Sequence, residues 1–164
     1  MVSMGPERLT EQAQEALAAS QELVMRYHHS QWDVEHILLA LLEQDSLASE
    51  ILKGLGVSEQ LVEQQVELVL EKVPKVTQQG AQIFATPRIP SVMNSAGAEA
   101  DRLKDEFVGV EHILIAIAGE QQGDAVRILR ANGVDQESIY RALQKIRGGH
   151  RVMDRLAESK YRSL

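Results

Sequence analysis

The sequence predicts an all-α domain of eight helices, built as a pseudo-twofold duplication of a four-helix repeat. Three observations carry this prediction: an apolar motif that occurs twice, apolar side chains at helical spacing, and few aromatic residues. Aromatics make up 4% of the 164 residues, whereas hydrophobic residues make up 44%. Apolar content that comes from Leu, Ile, Val and Ala, without long alternating runs, favours packed helices over a sandwich or barrel.

The duplication is the strongest signal in the chain. The segment VEHILLAL at residues 34–41 returns as VEHILIAI at residues 110–117, 76 residues later. The segment ILKGLGV at 51–57 returns as ILRANGV at 128–134, at a spacing of 77 residues. Linked matches at a nearly fixed period indicate two copies of one structural unit. We place repeat 1 at about 9–74 and repeat 2 at about 86–149.

Repeat 1 shows the start and stop signals of four helices. Thr10, Asp33 and Ser58 precede apolar runs and are suitable N-caps, because their side-chain oxygens can accept from free backbone N–H groups. The run from Ile37 to Leu42 is broad enough to predict a central, buried helix. The third helix is expected to stop at Gly54 or Gly56, and the fourth is expected to end near Pro74.

Repeat 2 predicts the same order of elements. Thr86 is a candidate cap followed by Pro87 at the first helical position, where proline is well tolerated. The four helices are expected at about 88–104, 110–118, 124–131 and 136–146. Residues 75–85 are polar and predict an exposed connector between the repeats. Residues 1–149 then form one domain, and 150–164 form a linker that leaves it.

Composition excludes several functional classes. The chain has no cysteine and a formal net charge of −7, and residues 1–75 hold 13 acidic and 5 basic side chains. An acidic half does not suit nucleic acid, whose backbone requires clustered Lys and Arg. No apolar window is long enough to span a membrane and no secretory signal is apparent, so we expect no membrane partner and a cytoplasmic location.

The repeats, the VEHILLAL segment and the opening Thr86-Pro87-Arg88 together resemble the duplicated N-terminal domain of the Clp chaperone ATPases. The segment from Gln144 to Asp154, with Glu158 and residues 161–164, is similar to the exit segment of the ClpB branch. The ClpC branch shares the repeats but differs in that segment. The resemblance covers nearly all of the chain from Leu9 onward.

This resemblance implies a non-catalytic, substrate-recognition domain of a ClpB-type AAA+ disaggregase. Such a domain is tethered above a hexameric ring, where it captures unfolded or aggregated polypeptide and helps deliver it to the pore. ATP and Mg would bind ATPase modules that this chain does not include. No GxxxxGK[ST] motif occurs in the sequence, so phosphate has no candidate loop and we expect no cofactor. The alternative is a ClpC-type domain that binds adaptors or phosphoarginine.

Candidate binding residues come from the repeat and from the resemblance. Glu35 and Glu111 lie one residue inside equivalent helix starts, where a carboxylate could satisfy free N–H groups or accept from a client's arginine. In the ClpC branch the equivalent glutamates resemble a phosphoarginine pocket shared with threonines, here Thr10 and Thr86. In ClpB-like domains the positions of Thr10, Asp105 and Glu111 are associated with substrate handling.

A client groove is expected at the seam between the first helices of the two repeats, because unfolded segments bind exposed apolar surfaces. Its expected walls are Val92, Ala96 and Leu103 on one side and Ala16, Leu23 and Tyr27 on the other. The same spacing also fits ordinary core positions, and sequence alone leaves both interpretations open.

The five histidines are interpreted as packing residues. His36 and His112 are repeat equivalents without a zinc-site spacing, and His28-His29 is expected in a polar turn. No Ser/His/Asp order or paired-carboxylate spacing stands out, so a hydrolase is not predicted.

Overall fold

The computed structural model describes residues 6–77 and 82–148 of the chain. Within these residues it has eight α-helices and two very short strands, β1 and β2, so the predicted all-α fold is confirmed. The helices of repeat 1 are α1 Glu11–Arg26, α2 Val34–Glu43, α3 Leu47–Gly54 and α4 Glu59–Glu71. The helices of repeat 2 are α5 Arg88–Arg102, α6 Val110–Ala118, α7 Asp124–Ala131 and α8 Gln136–Arg147. The predicted linker at 150–164 lies outside the described residues.

The two repeats share unusual backbone conformations at equivalent positions. His28 and Lys104, which are 76 residues apart, both have a positive φ, of 58° and 61°. Gly56 and Gly133, which are 77 residues apart, have φ values of 71° and 79° and follow the ends of α3 and α7. Non-glycine residues rarely adopt a positive φ. The two repeats therefore share the same local backbone fold as well as the same sequence motifs.

The repeats are tied together by exchanged strands. β1 (Gln31–Trp32) pairs in parallel with β2 (Phe84–Ala85), and Leu9 forms an isolated parallel bridge with Val108. The Thr10 N–H donates to the Val108 carbonyl at 2.9 Å, and the Thr86 N–H donates to the Trp32 carbonyl at 3.0 Å. The two hydrogen bonds are equivalent, because each joins the threonine at the start of one repeat to the matching carbonyl of the other repeat. The predicted exposed connector ends in β2, whose two residues are exposed while they pair with β1.

The core is built around α2 and α6. Every residue from Val34 to Leu42 and from Val110 to Ala118 is buried, as expected for helices that are apolar on all sides. α1 packs on α2, α5 packs on α6, and α2 contacts α6 across the middle. The two short apolar helices at the centre are thus buried by packing against each other and against the first helix of their own repeat.

Most predicted helix caps are confirmed. The side chains of Thr10, Asp33 and Ser58 accept from the N–H groups of Ala13, Val34 and Leu61. Thr86 departs from the prediction, because the residue before α5 is Pro87 and no side chain caps that helix. The Thr86 hydroxyl instead donates to Asp33 Oδ1 at 2.8 Å. The threonine of repeat 2 therefore binds the cap residue of α2 instead of its own helix.

Candidate functional site

A single arginine gathers three carboxylates where the two repeats meet. Arg88, at the first position of α5, donates to Glu35 through Nη1 and Nη2 at 2.9 Å each, and to Asp33 at 3.2 Å. Its Nε and Nη2 donate to the two oxygens of Glu120 at 3.0 and 2.8 Å. We call Asp33, Glu35, Arg88 and Glu120 the Arg88 cluster. Burial alone would lower the pKa of Arg88, but the hydrogen bonds to Glu120 and Glu35 outweigh it and raise the pKa.

Glu35 also caps a helix of the other repeat. The Ala125 N–H, in the first turn of α7, donates to Glu35 Oε2 at 2.9 Å. The residue before α7 is Gly123, which has no side chain to cap the helix, whereas the equivalent Ser46 caps α3 through the Ala48 N–H. A buried carboxylate at a helix N-terminus is favoured by the free N–H groups and the dipole. One of the two expectations for Glu35, a structural role at a helix start, is thus what the geometry shows.

Gly123 is required by the Arg88 cluster. Its φ is 121°, and a Cβ built there would lie 2.5 Å from Arg88 Nη2. The guanidinium cannot move away without leaving Glu35 and Glu120, because it is bonded to both. A residue with a capping side chain at position 123 would therefore clash with Arg88.

We expect Gly123→Ala to destabilise the domain by about 1–3 kcal/mol, since alanine adds both backbone strain and a clash with the arginine. Urea denaturation measures the change in free energy of unfolding. Gly54→Ala is the matched control, because a Cβ there meets nothing within 4 Å and the residue ends a helix. Equal stability of the two variants would contradict the assigned role of Gly123.

A second, more deeply buried cluster lies at the start of α6. Arg147, the last residue of α8, donates to Glu111 Oε2 at 2.8 Å and pairs with Asp105 Oδ2 at 2.8 Å. His112 Nε2 lies 2.7 Å from the same Asp105 oxygen. We call Asp105, Glu111, His112 and Arg147 the Arg147 cluster. Burial acts to lower the pKa of Arg147, but Glu111 and then Asp105 raise it overall.

The two clusters differ because the repeats carry their arginines at different positions. Repeat 1 has Gln12 where repeat 2 has Arg88, so Glu111 has no equivalent arginine on α1. Arg147 supplies the missing charge from α8, at a position equivalent to Leu70 of repeat 1. Glu111 Oε1 and Arg147 Nε remain buried without a hydrogen-bond partner. The pairing in this cluster is therefore less complete than around Arg88.

The histidines of the VEH segments accept hydrogen bonds from backbone N–H groups at the N-termini of α2 and α6. The Asp33 N–H donates to His36 Nδ1 at 3.0 Å, and the Gly109 N–H donates to His112 Nδ1 at 2.8 Å. Each ring must then carry its proton on Nε2, which points to His29 Nδ1 at 2.9 Å in repeat 1 and to Asp105 in repeat 2. Burial, with a smaller effect of His29, lowers the pKa of His36 to about 4. The expected polar turn is wrong for His29, which is buried.

The structure divides the predicted polar site residues between two places: Glu35 and Thr86 lie at the Arg88 cluster, whereas Asp105 and Glu111 meet at Arg147. Thr10, Asp105 and Glu111 are all buried, and Glu35 is 6% exposed. Thr86 is half-buried and bonded to Asp33. Arg88 and Arg147 of the same chain pair with Glu35 and Glu111, so a client's arginine would have to compete with them for these carboxylates.

The predicted apolar seam is also part of the core. Val92 and Ala96, with the opposite wall of Ala16, Leu23 and Tyr27, are buried, and Leu103 is partly buried against the same core. Their burial favours the core interpretation, because α1 and α5 each pack their apolar face on a central helix, although Val92 also borders the open cavity between α5 and α6. Because Ala96 is fully buried, a variant that places a charged side chain there would not by itself test client binding.

Sequence reasoning assigned no role to Arg88 and Arg147. Both stand in the segments that carry the family resemblance, namely the opening of repeat 2 and the exit from α8. Glu35 and Glu111, which stand in otherwise apolar helix starts, were the feature of the sequence that could have indicated these arginines. A buried carboxylate needs a positive partner.

An open cavity of about 330 Å³ lies beside the Arg88 cluster, between α5, the end of α6 and the loop that follows it. Over residues 6–77 and 82–148, no group of three or more His, Asp or Glu side chains is placed to hold a metal ion. None of the helices in the described part of the chain is long and apolar enough to cross a membrane.

Comparison with known proteins decides the family. The profile of the Clp repeat (R) N-terminal domain matches residues 8–146. The chain belongs to this family. Within it, this Clp N-domain is 33% identical to the chaperone protein ClpB of Bacillus cereus over 161 residues, which is 96% of the chain and 18% of the relative. It is 35% identical to chaperone protein ClpB 1 of Synechocystis over 160 residues, 97% of the chain and 18% of the relative.

Solved structures share the fold of this Clp N-domain. The Hsp104 N-terminal domain from Candida albicans superposes with a TM-score of 0.81 at 23% identity, covering 93% of this chain and 99% of that one. The N-domain of ClpV in a complex with a VipB peptide has a TM-score of 0.65 at 17% identity, covering 84% and 85%. The chain spans about a fifth of the length of its curated relatives. The resemblance to the N-terminal domain of ClpB-type proteins that the sequence predicted is confirmed.

Proposed function

We propose that this Clp N-domain binds unfolded or aggregated polypeptide and delivers it to a hexameric AAA+ ring of the same protein in the cytoplasm. The observation that carries the proposal is the alignment of nearly the whole chain with the N-terminal fifth of ClpB chaperones at about a third identity. ATP and Mg belong, in this proposal, to the ATPase modules of such a protein. The solved complex of a ClpV N-domain with a VipB peptide supports peptide binding by this fold.

In this proposal Thr10, Asp105 and Glu111 act by holding the fold. Each is buried, and Asp105 and Glu111 meet at Arg147. The client would bind the surface instead, where the described residues include large exposed apolar side chains. These are Met25, Leu61, Leu68, Val73 and Phe84. Dispersed apolar side chains on an acidic surface favour weak, repeated contacts over one deep pocket.

Binding of one protein in two folding states tests the proposal. Reduced, carboxymethylated α-lactalbumin is unfolded, and the native, disulfide-bonded protein presents the same polypeptide in a folded form. We expect the domain to bind the labelled unfolded form and to leave the native form unbound, because only the former exposes apolar segments. Fluorescence anisotropy measures both titrations, and equal binding or no binding of both forms would overturn the proposal.

Phosphoarginine, added as a separate titrant, distinguishes the ClpC-type alternative. Glu35 already accepts from Arg88 and from the α7 N-terminus, which leaves little capacity for another guanidinium. We therefore expect no saturable binding of phosphoarginine. Saturable binding that disappears in Glu35→Ala and Glu111→Ala would favour the alternative over the proposed client role.

A further inference from the structure

The cavity beside the Arg88 cluster has an apolar floor and one charged end. Val92 and Ala116 form the floor and are 2% and 4% exposed, while Ser91 and Ser95 stand at the rim on α5. Arg88 and Glu120 form the charged end. A space of about 330 Å³ lies at the small end of ligand sites in proteins, so it suits one side chain or a short segment.

The charged end of the cavity is negative although an arginine lies in it. All five N–H groups of Arg88 are engaged, by Glu120, Glu35 and Asp33. The three carboxylates exceed the single guanidinium of the cluster by two negative charges, and Arg130, whose Nη2 donates to the Glu120 carbonyl at 3.3 Å, offsets one of them. An anion entering the cavity would find no free donor on Arg88. A cation would be attracted by the excess charge, and the side chain of Glu120, which is 13% exposed, is reachable from the cavity.

Repeat 1 has a hydrogen bond across the equivalent place, where glutamine stands instead of glutamate. Gln44 stands 76 residues before Glu120, and its amide donates across to the carbonyl of Glu15 on α1 at 3.4 Å. Glu15 is the equivalent of Ser91. In repeat 2, the Glu120 carboxylate accepts from Arg88 instead, and the open cavity lies between α5 and the end of α6. The glutamate that replaces Gln44 is thus also the residue that gives the cavity its negative end.

We infer that this cavity takes a lysine or arginine side chain of the bound polypeptide, with its methylenes over Val92 and Ala116 and its cation beside Glu120. The inference rests on the proposed function and adds a preference to it. Lysine and arginine combine an apolar stem with a charged head, which matches a cavity that is apolar below and negative at one end. Client segments with basic residues among apolar ones would then bind better than acidic segments of equal hydropathy.

Matched peptides test this preference. Three labelled nonapeptides of Leu, Ala and Ser differ only at the central residue, which is Lys, norleucine or Glu. At low ionic strength we expect the Lys peptide to bind roughly fivefold more tightly than the norleucine peptide, the size of a favourable, partly exposed ion pair. The difference should shrink as salt is added. Equal affinities of the Lys and norleucine peptides would overturn the inference.

Two variants separate the cavity from the general negative charge of the domain. Ser95→Trp fills the cavity from an exposed rim position without a change of charge, and Glu120→Gln removes its accessible carboxylate. We expect both to abolish the Lys preference. Ala98→Trp, on an exposed position of the same helix outside the cavity, should retain it. A preference that survives in Ser95→Trp would place its origin elsewhere and overturn the inference.

The failure of this inference can be told from the failure of the proposed function. Unfolded α-lactalbumin that binds the wild-type domain, combined with no preference for the Lys peptide, removes the cavity and leaves the client role. Absence of binding by unfolded α-lactalbumin removes the client role itself. Circular dichroism and urea titration of each variant show that a lost preference is not caused by unfolding.

Discussion

Arg147→Met is expected to destabilise this Clp N-domain by about 3–5 kcal/mol, the cost of leaving buried charge without its partner. Asp105 and Glu111 have side chains that are 0% exposed, and the Arg147 side chain is 7% exposed. Methionine replaces the length of the arginine but none of its charge. Glu111 would then lie in the core with no positive partner, since its other oxygen already has none. Chemical denaturation in urea at neutral pH measures the loss.

A variant of an exposed arginine provides the control for Arg147→Met. Arg127 pairs with Asp124 at 2.7 Å, but both side chains are about half exposed, so Arg127→Met should change stability by less than about 1 kcal/mol. A similarly small effect of Arg147→Met would show that the Arg147 cluster does not contain ionised carboxylates.

A combined variant tests the cause of the effect. Arg147→Met together with Asp105→Asn and Glu111→Gln removes all three charges while it keeps the volumes. We expect this variant to recover part of the lost stability, because neutral amides are far less costly to bury than unpaired carboxylates. His112 can keep a hydrogen bond to an amide oxygen at position 105. If the triple variant is less stable than Arg147→Met alone, the charge imbalance is not the cause.

Much of the fold follows from the sequence, because the repeat and the helix signals are local. Asp124–Ala131 and Val110–Ala118 have the predicted bounds, and α8 ends one residue beyond its prediction. The pairing of β2 with β1 was not predicted from the sequence, since it depends on a segment of the other repeat. Thr86 was mispredicted for a related reason: its hydroxyl meets Asp33, a residue 53 positions away.

The candidate site was less predictable than the fold. The spacing of Glu35 and Glu111 showed that the two carboxylates are equivalent, but their partners are not. Arg88 comes from the other repeat, and Arg147 comes from a helix whose counterpart has Leu70 at that place. Periodicity also cannot separate a groove wall from a core wall, so Val92 and Ala96 fitted both interpretations. These distinctions depend on contacts between distant segments.

The stability of the domain is expected to fall by about 1.5 kcal/mol between pH 6.5 and 5 because of His36 alone, since the unfolded ring is only half protonated at pH 6.5 and the slope approaches 1.36 kcal/mol per pH unit below it. In the unfolded chain this ring has an ordinary pKa near 6.5, whereas burial lowers its pKa to about 4 in the folded domain. The unfolded state therefore binds a proton over this window and the folded state does not. The contribution of neutral His36 to the free energy of unfolding is present above pH 6.5 and is lost as the pH falls towards 4.

His36→Gln is the control for this pH dependence. Glutamine at the third position of a helix can reach back to the cap N–H, as His36 does to Asp33, but it does not titrate in this range. The free energy of unfolding of the variant should change less between pH 6.5 and 5 than that of the wild type. Burial also lowers the pKa of His29, so a smaller dependence of the same sign is expected to remain. Identical pH profiles would contradict the assignment to His36.

His29→Asp gives the sharper test, because it copies the pairing that repeat 2 already contains. Asp105 faces His112 at 2.7 Å, and His29 faces His36 at 2.9 Å from the equivalent position. A carboxylate at position 29 would stabilise protonated His36 and raise its pKa, which reverses the sign of its contribution. Repeat 1 has Leu70 in place of Arg147, so this new carboxylate would lack a buried arginine, and besides His36 the charge of Lys75 would act on it. The variant should therefore be less stable than the wild type at pH 7.5 and should gain stability as the pH falls to 5.5, while the wild type loses it.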